Sequence, residues 1–137
     1  MLVGDGLAVA MGGFHGPAVG WKLGGSGNVT ATNLLWRVER NPQRIGSGVI
    51  LGEYAYMVDE RGNVQCFDPA TGLARWEDKL PGDARSWSSL VAAAGRLYLT
   101  TQSGDTVVFT ASPERLEVLA VNPIGERTNS TIAVSSG

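Results

Sequence analysis

The sequence is poor in the residues on which many catalytic and metal sites depend. Its 137 residues include one histidine, His15, and one cysteine, Cys66. A single histidine excludes a two-histidine metal site within the chain, and a single cysteine excludes an internal disulfide and a cysteine-based zinc cluster. No apolar run approaches the roughly 18 residues that indicate a membrane-spanning segment.

Positive charge is also limited, with 11 basic residues against 13 acidic ones and a formal net charge of −2. The basic residues are scattered, whereas a nucleic-acid-binding surface normally needs a basic stripe, so we predict no nucleic-acid partner. The N-terminal stretch before Phe14 is apolar but has no basic region, and Asp5 interrupts it. It therefore does not read as a secretory signal peptide.

Glycine is abundant, at 19 of 137 residues, and it punctuates short runs rich in valine, leucine, tyrosine and threonine. Such runs, separated by Gly-Asp and Gly-Asn turns, predict an all-β fold of short antiparallel strands. The predicted turns lie at 3–6, 61–63 and 103–105. The predicted strands are Leu7–Met11, Val49–Leu51, Tyr54–Val58, Val64–Phe67, Leu90–Ala93, Leu97–Thr101 and Thr106–Thr110.

The chain repeats itself when it is shifted by 42 residues. Without a gap, Tyr56 falls on Tyr98, Gly62 on Gly104 and Phe67 on Phe109, and the same shift places Trp76 on Val118. An earlier and less regular copy aligns with a shift of 48, which places Gly4 on Gly52. A period near 42 with four short strands per unit is typical of a β-propeller blade.

One unit carries the sequence Cys-Phe-Asp-Pro-Ala-Thr-Gly-Leu-Ala-Arg-Trp at 66–76. This resembles the repeat signature of pyrroloquinoline-quinone (PQQ)-type propellers, with Cys66 in place of the usual alanine. The matching residues are Asp68, Thr71, Gly72 and Trp76. The resemblance implies antiparallel four-stranded blades in which Trp76 docks between neighbours. Trp36 occupies the comparable place in the first unit, and we expect a weaker seam at the smaller Val118.

The residues of this motif also predict the local structure around them. Asp68 can accept backbone N–H groups two residues on, and Gly72 supplies a positive φ, so 68–72 reads as a tight turn. Strand alternation places Cys66 on the face opposite Phe67. We therefore expect Cys66 to be a buried, unreactive thiol that packs as a small apolar residue.

The repeat divides the chain into units 1–46, 47–88 and 89–130, with 131–137 as the start of another. This predicts a single, incomplete domain of about three blades, and the resemblance implies about eight in the whole protein. We expect the sequence to be a fragment, because both of its ends fall within a repeat unit. Because three blades do not close a ring, we also expect apolar blade faces that favour edge-to-edge self-association.

Three residues are candidates for contact with a ligand, namely His15, Arg85 and Trp87. His15 lies between glycines in Gly-Phe-His-Gly-Pro, and Arg85 and Trp87 lie in a connection between units, where propellers often present functional loops. The alternative is a structural role, with His15 facing solvent and Trp87 packing between blades. The Gly-Gly-Ser-Gly-Asn segment at 24–28 is interpreted as a hairpin-like loop that no helix follows, and it lacks the lysine of a phosphate-binding loop.

The resemblance implies two main functions. The favoured one is a non-catalytic, cofactor-free scaffold that binds a protein partner in the bacterial periplasm, cell envelope or outside the cell. The alternative is part of a PQQ-dependent dehydrogenase, in which the cofactor stacks over a tryptophan and under a vicinal cysteine pair beside calcium. PQQ and calcium would then need residues from other blades. A carbohydrate-binding propeller with Trp21 and Trp87 as stacking residues is a third reading.

Overall fold

The computed structural model describes residues 1–41 and 45–135, and it confirms the all-β prediction. Within these residues, twelve strands form three antiparallel four-stranded sheets, in which neighbours in the chain are neighbours in the sheet. We refer to the sheets as the first, second and third blades. The arc that they form is unclosed. In the described part of the chain, no helix is long and apolar enough to cross a membrane.

The strands of each blade run in order from a short inner strand to an outer one. The first blade has β1 (Leu2–Gly4), β2 (Leu7–Met11), β3 (Ala18–Lys22) and β4 (Leu34–Val38). The second has β5 (Val49–Leu51), β6 (Tyr54–Val58), β7 (Asn63–Phe67) and β8 (Ala74–Lys79). The third has β9 (Val91–Ala93), β10 (Arg96–Thr100), β11 (Asp105–Thr110) and β12 (Val118–Pro123).

One sequence-based expectation about the first blade is wrong. A single-turn helix, α1 (Thr30–Asn33), follows the glycine-rich segment at 24–28, where the sequence predicts none. The Asn33 side chain explains its position, because its amide donates to the carbonyls of Lys22 (3.0 Å) and Gly24 (3.0 Å). The helix thus closes the long connection between β3 and β4.

Two apolar cores lie in the two seams between blades. The seam of the second and third blades contains Tyr56, Cys66, Leu97 and Phe109, all almost fully buried. The seam of the first and second blades is smaller. Its buried members are Leu2, Val9, Ala55, Met57 and Phe67. Cys66 and Phe67 therefore face opposite seams, as strand alternation predicts.

The 42-residue period also appears in hydrogen bonds between successive units. The backbone N–H of Ser47 donates to the Ser89 hydroxyl (3.1 Å), and the backbone N–H of Ser89 donates to the Thr131 hydroxyl (2.9 Å). The repeat thus reaches Thr131, although 131–135 forms no strand. Residues 136 and 137 lie outside the described residues, so a further blade beginning at 131 stays a prediction.

The alignment of the first blade by a shift of 48 is off by one residue. Strand register pairs Gly4 with Leu7 and Leu51 with Tyr54, so the first two strands of the first blade match those of the second blade with a shift of 47. The burial pattern agrees, because Val9 and its counterpart Tyr56 both face the following blade. A slip of one residue along a strand moves every side chain to the opposite face.

Tryptophans link the blades, as the resemblance implies. The Trp36 indole N–H donates to the Pro69 carbonyl of the second blade (2.8 Å). The Trp76 indole N–H donates to the Ser112 carbonyl of the third blade (3.0 Å). Each of these tryptophans is half-buried against the core of its seam.

The expected counterpart of Trp76 in the third blade needs correction. Trp76 pairs with Cys66, and Ala120 pairs with Val108, which is the counterpart of Cys66. The turn between β11 and β12 is longer than that between β7 and β8, which shifts the outer strand relative to a gapless alignment. Ala120, and not Val118, therefore occupies the position of the docking tryptophan.

We predict that Trp76→Ala destabilises the protein more than Trp87→Ala does. The first change removes a seam contact together with its hydrogen bond, and large-to-small changes in packed sites cost about 3–5 kcal/mol. Trp87 is 48% exposed, so its truncation should cost less than about 1 kcal/mol. Paired urea-unfolding curves measure the difference. A larger loss of unfolding free energy for Trp87→Ala would contradict the role assigned to the seam tryptophans.

Candidate functional site

The three candidate residues lie at the same end of the sheets. This end, which we call the loop face, carries the turns at 12–17, 59–62 and 101–104 and the connections that follow β4 and β8. His15 belongs to the turn of the first blade, whereas Arg85 and Trp87 belong to the connection between the second and third blades. The fold thus brings all three to one face, but on different blades.

Trp87 stands on a hydrogen-bonded support. Its neighbours Ser86 and Ser88 are buried, and each hydroxyl lies 2.7 Å from the Thr100 carbonyl. The two hydroxyls are 2.9 Å apart, and the backbone N–H of Ser88 donates to the Ser86 hydroxyl (3.0 Å). The indole between them is 48% exposed and belongs to neither core. Hydrogen bonds to the third blade therefore anchor the segment on its buried side, while the indole of Trp87 remains exposed to solvent.

Arg85 lies beside this aromatic ring along the chain and is anchored as well. Its guanidinium donates to both carboxylate oxygens of Asp83, at 2.9 and 2.8 Å. Through this hydrogen bond, Arg85 lowers the pKa of the Asp83 carboxyl, and Asp83 raises the pKa of Arg85. The backbone carbonyl of Arg85 accepts the N–H of Gln102 (2.7 Å), which ties the segment to the third blade.

His15 is exposed at the tip of an unusually shaped turn. It and the preceding Phe14 both have left-handed backbone conformations, with φ of 63° and 57°. Non-glycine residues seldom adopt this region, and such strain is often found at functional sites. The turn is fixed from the inside by Asn41, whose side-chain amide donates to the carbonyls of Gly16 (2.7 Å) and Gly12 (3.1 Å).

The structure adds two apolar residues to the loop face that the sequence interpretation missed. Phe14 is 71% exposed beside His15, and Ile45 is 50% exposed in the connection between the first and second blades. Ile45 precedes Trp87 by 42 residues, so the repeat could have predicted that Ile45 lies on the same face as Trp87. Phe14 could have been predicted as exposed because it is an aromatic residue in a glycine-rich turn.

The opposite end of the sheets carries a groove of about 460 Å³ between the first and second blades. Asp5, Glu53 and Asp68 line it together with apolar residues. Asp68 is occupied by its own turn, because its carboxylate accepts the Ala70 N–H (2.7 Å) and the Thr71 hydroxyl (2.9 Å). Within residues 1–41 and 45–135, no group of three or more histidine, cysteine or acidic residues could hold a metal ion.

Solved structures with a similar fold include BamB from Moraxella catarrhalis, with 17% identity and a TM-score of 0.53. They also include a europium-containing methanol dehydrogenase, with 9% identity and a TM-score of 0.62. The fold is that of a PQQ-type β-propeller. The matches cover 79% and 87% of this chain, but only 30% and 23% of those two proteins. No protein-family model and no curated protein matches the sequence.

Within this PQQ-type blade, the cysteine of the signature segment is a buried group. Cys66 is fully buried in the seam of the second and third blades. Burial raises the pKa of its thiol, and the hydrogen bond from Tyr56 and the charge of Arg75 lower it by smaller amounts. Burial likewise raises the pKa of the Tyr56 hydroxyl.

We predict that Cys66 reacts slowly with a thiol reagent in the native protein. The reagent needs an accessible thiolate, and Cys66 is both buried and harder to ionise than a free thiol. Absorbance during labelling with Ellman's reagent measures the rate, and the same protein unfolded in urea is the control. Equal rates in the two states would contradict the assignment of Cys66 as a buried thiol.

The raised pKa of Cys66 also predicts a loss of stability at alkaline pH. Because the native thiol holds its proton to higher pH, the unfolded state ionises first, and the free energy of unfolding falls above about pH 8.5. The slope is at most about 1.4 kcal/mol per pH unit for one group. Urea unfolding between about pH 8 and 9.5 measures it. Cys66→Val, which copies the valine at the equivalent position of the third blade, should remove the slope. If the unfolding free energy of Cys66→Val falls with pH as steeply as that of the wild type, ionisation of Cys66 is not the cause of the loss.

Proposed function

We propose that this chain is a non-catalytic part of a propeller that binds a partner protein through its loop face. The observation that carries the proposal is Trp87, an indole 48% exposed on a segment whose neighbouring serines are buried and hydrogen-bonded. Tryptophan and arginine are enriched among the residues that dominate protein-binding energy. A rigidly supported aromatic residue loses little conformational freedom when a partner covers it.

The other exposed apolar residues of the loop face extend the same surface. Phe14 and Ile45 lie at this end of the first blade and of the connection that follows it. Asn41 fixes the turn that carries Phe14, through its hydrogen bonds to Gly12 and Gly16. Exposed apolar residues on fixed turns are suited to binding a partner with little rearrangement.

The similarity to BamB supports a protein-binding role and a place in the bacterial cell envelope. It is a similarity of fold, and the chain spans less than a third of the length of that protein. Blades of a propeller form a rigid framework, so partner specificity resides in the loops that the framework presents. Trp87 and Arg85 lie in such a loop.

The similarity to methanol dehydrogenase supports the alternative of a PQQ-dependent enzyme, but the described residues do not fit the cofactor. Cys66 has no vicinal cysteine, and the four tryptophans are placed at seams, on an open blade face or on the loop face. The described carboxylates form no cluster that could hold a metal. No catalytic step is therefore assigned to residues of this chain.

The carbohydrate-binding alternative needs Trp21 and Trp87 to stack on one ligand. Trp21 lies near the end of β3, where the strand leaves the loop face, and it belongs to the first blade. Trp87 follows the second blade and lies on the loop face itself. Two aromatic residues at opposite ends of different blades do not form one stacking platform, so we favour the protein partner.

Photo-crosslinking in the native host tests the proposal. With a photoreactive phenylalanine analogue in place of Trp87, we expect one discrete crosslinked protein that mass spectrometry identifies. The matched control replaces Leu73, which is 70% exposed but lies in the turn at the opposite end of the second blade. No product from position 87, or the same products from both positions, would refute a binding surface on the loop face.

A further inference from the structure

The groove between the first and second blades, at the end opposite the loop face, has an apolar base. Ile50 lines the groove and packs against the core of this seam, and Leu7 shares a face of β2 with the buried Val9. A Cβ on Gly4 would lie 2.7 Å from the Ile50 side chain, so the two blades meet closely at the bottom of the groove. Both blades belong to this chain, and further blades before the first or after the third would not enter the groove.

The rim of the groove carries negative charge. Asp5 from the β1–β2 turn and Glu53 from the β5–β6 turn line it, and both residues are exposed. Neither carboxylate forms a hydrogen bond or an ion pair with another described residue. Asp68 adds a third negative charge, and none of the described residues that line the groove is basic. An apolar base and a negative rim thus occur together.

The fold does not require acidic residues at these two turn positions. Strand register aligns the hairpin turns 5–6, 52–53 and 94–95 of the three blades. In the seam of the second and third blades, Gly52 and Gly95 therefore occupy the positions that Asp5 and Glu53 have in the first seam. The hairpins have the same length in each blade, so neither carboxylate is needed to form its turn.

We propose that this groove binds a segment of a partner protein in which an arginine lies next to an apolar residue. The guanidinium supplies five N–H donors to the carboxylates of the rim, while the apolar stem of the arginine packs on Leu7 and Ile50. The groove volume of about 460 Å³ falls within the range of roughly 300–1,000 Å³ that is usual for binding sites. The neighbouring apolar residue of the segment fills the remainder of the base.

A protein segment fits this groove better than a metal ion or a free small amine does. Within residues 1–41 and 45–135, no group of three or more acidic, histidine or cysteine residues could hold a metal. Sites for small molecules enclose most of the ligand, whereas Asp5, Glu53 and Ala70 leave this groove open to solvent. A partner protein covers the open side with its own surface and excludes water from the charged contacts, which strengthens them. The groove and the loop face lie at opposite ends of the sheets, so this inference and the proposed function fail or succeed separately.

Fluorescence anisotropy of the purified protein with labelled pentapeptides gives the first test. Each peptide holds one arginine between two apolar residues, and each has a twin in which citrulline replaces the arginine, which keeps the shape and removes the charge. We expect the arginine peptides to bind at least about tenfold more tightly than their twins, with an advantage that shrinks as sodium chloride is added. Equal affinities of the twins, or no binding by any arginine peptide, would overturn the proposal. Binding of N-acetylarginine methylamide as tight as that of the pentapeptides would overturn a protein segment as the occupant.

Substitutions at the rim test whether the peptides bind in the groove. Asp5→Asn and Glu53→Gln remove the two unpaired charges with little change of shape, and together they should weaken binding by about tenfold or more. Ala70→Arg places a basic side chain of the protein itself at the rim and should weaken binding as well. The matched control, Glu126→Gln, removes one exposed carboxylate in the connection that follows β12 and should leave the affinity unchanged. Circular dichroism and urea unfolding establish that each variant is folded. If the double variant binds as the wild type does, or if the control weakens binding as much as Glu53→Gln does, the groove is not the site.

Discussion

The hydrogen bond from a tryptophan indole to a backbone carbonyl of the next blade is the interaction on which the arrangement of the blades depends. It occurs twice, from Trp36 to Pro69 (2.8 Å) and from Trp76 to Ser112 (3.0 Å). An indole N–H that is partly buried in a seam needs an acceptor, so each tryptophan ties its blade to one backbone position of the following blade. Apolar packing is less directional than a hydrogen bond.

This dependence gives the turn motif of the second blade a physical reason. The acceptor carbonyl of Pro69 lies inside the turn that Asp68 and Thr71 shape through their hydrogen bonds. Gly72 has a φ of 74°, and a Cβ there would lie 2.8 Å from the indole of Trp36. The glycine thus serves two purposes, since it allows the left-handed turn and leaves room for the ring.

The sequence predicts the second and third blades better than the first for a physical reason. Their inner three strands have equal connections, so a gapless shift of 42 places each residue on the correct face. The first hairpin of the first blade matches that of the second without a gap at a shift of 47, whereas the shift of 48 matched Gly4 to Gly52 and so slipped the register by one residue. The longer turn at 12–17 and the longer connection between β3 and β4 change the shift again for the other two strands. The misplacement of Ala120 has the same origin, because the connection 111–117 is longer than 68–73. Loop length is not encoded in strand periodicity, so register across unequal loops must come from the structure.

The candidate residues lie where the repeat units differ from one another in turn length or in sequence. Turn 12–17 is longer than its counterparts 59–62 and 101–104, and it presents Phe14 and His15 in left-handed conformations. Trp87 shares its repeat position with Ile45 and Asn129, so packing of the blades does not dictate the residue there. Positions that the fold leaves free can vary with the partner, whereas Trp36 and Trp76 are held by the seam that they stabilise.

Sequence reasoning selected Trp87 because it lies between units, but the support from Ser86 and Ser88 depends on the Thr100 carbonyl of another blade. That support, which anchors the residues on both sides of the exposed indole, is a tertiary feature, and the proposed binding role of Trp87 rests on it.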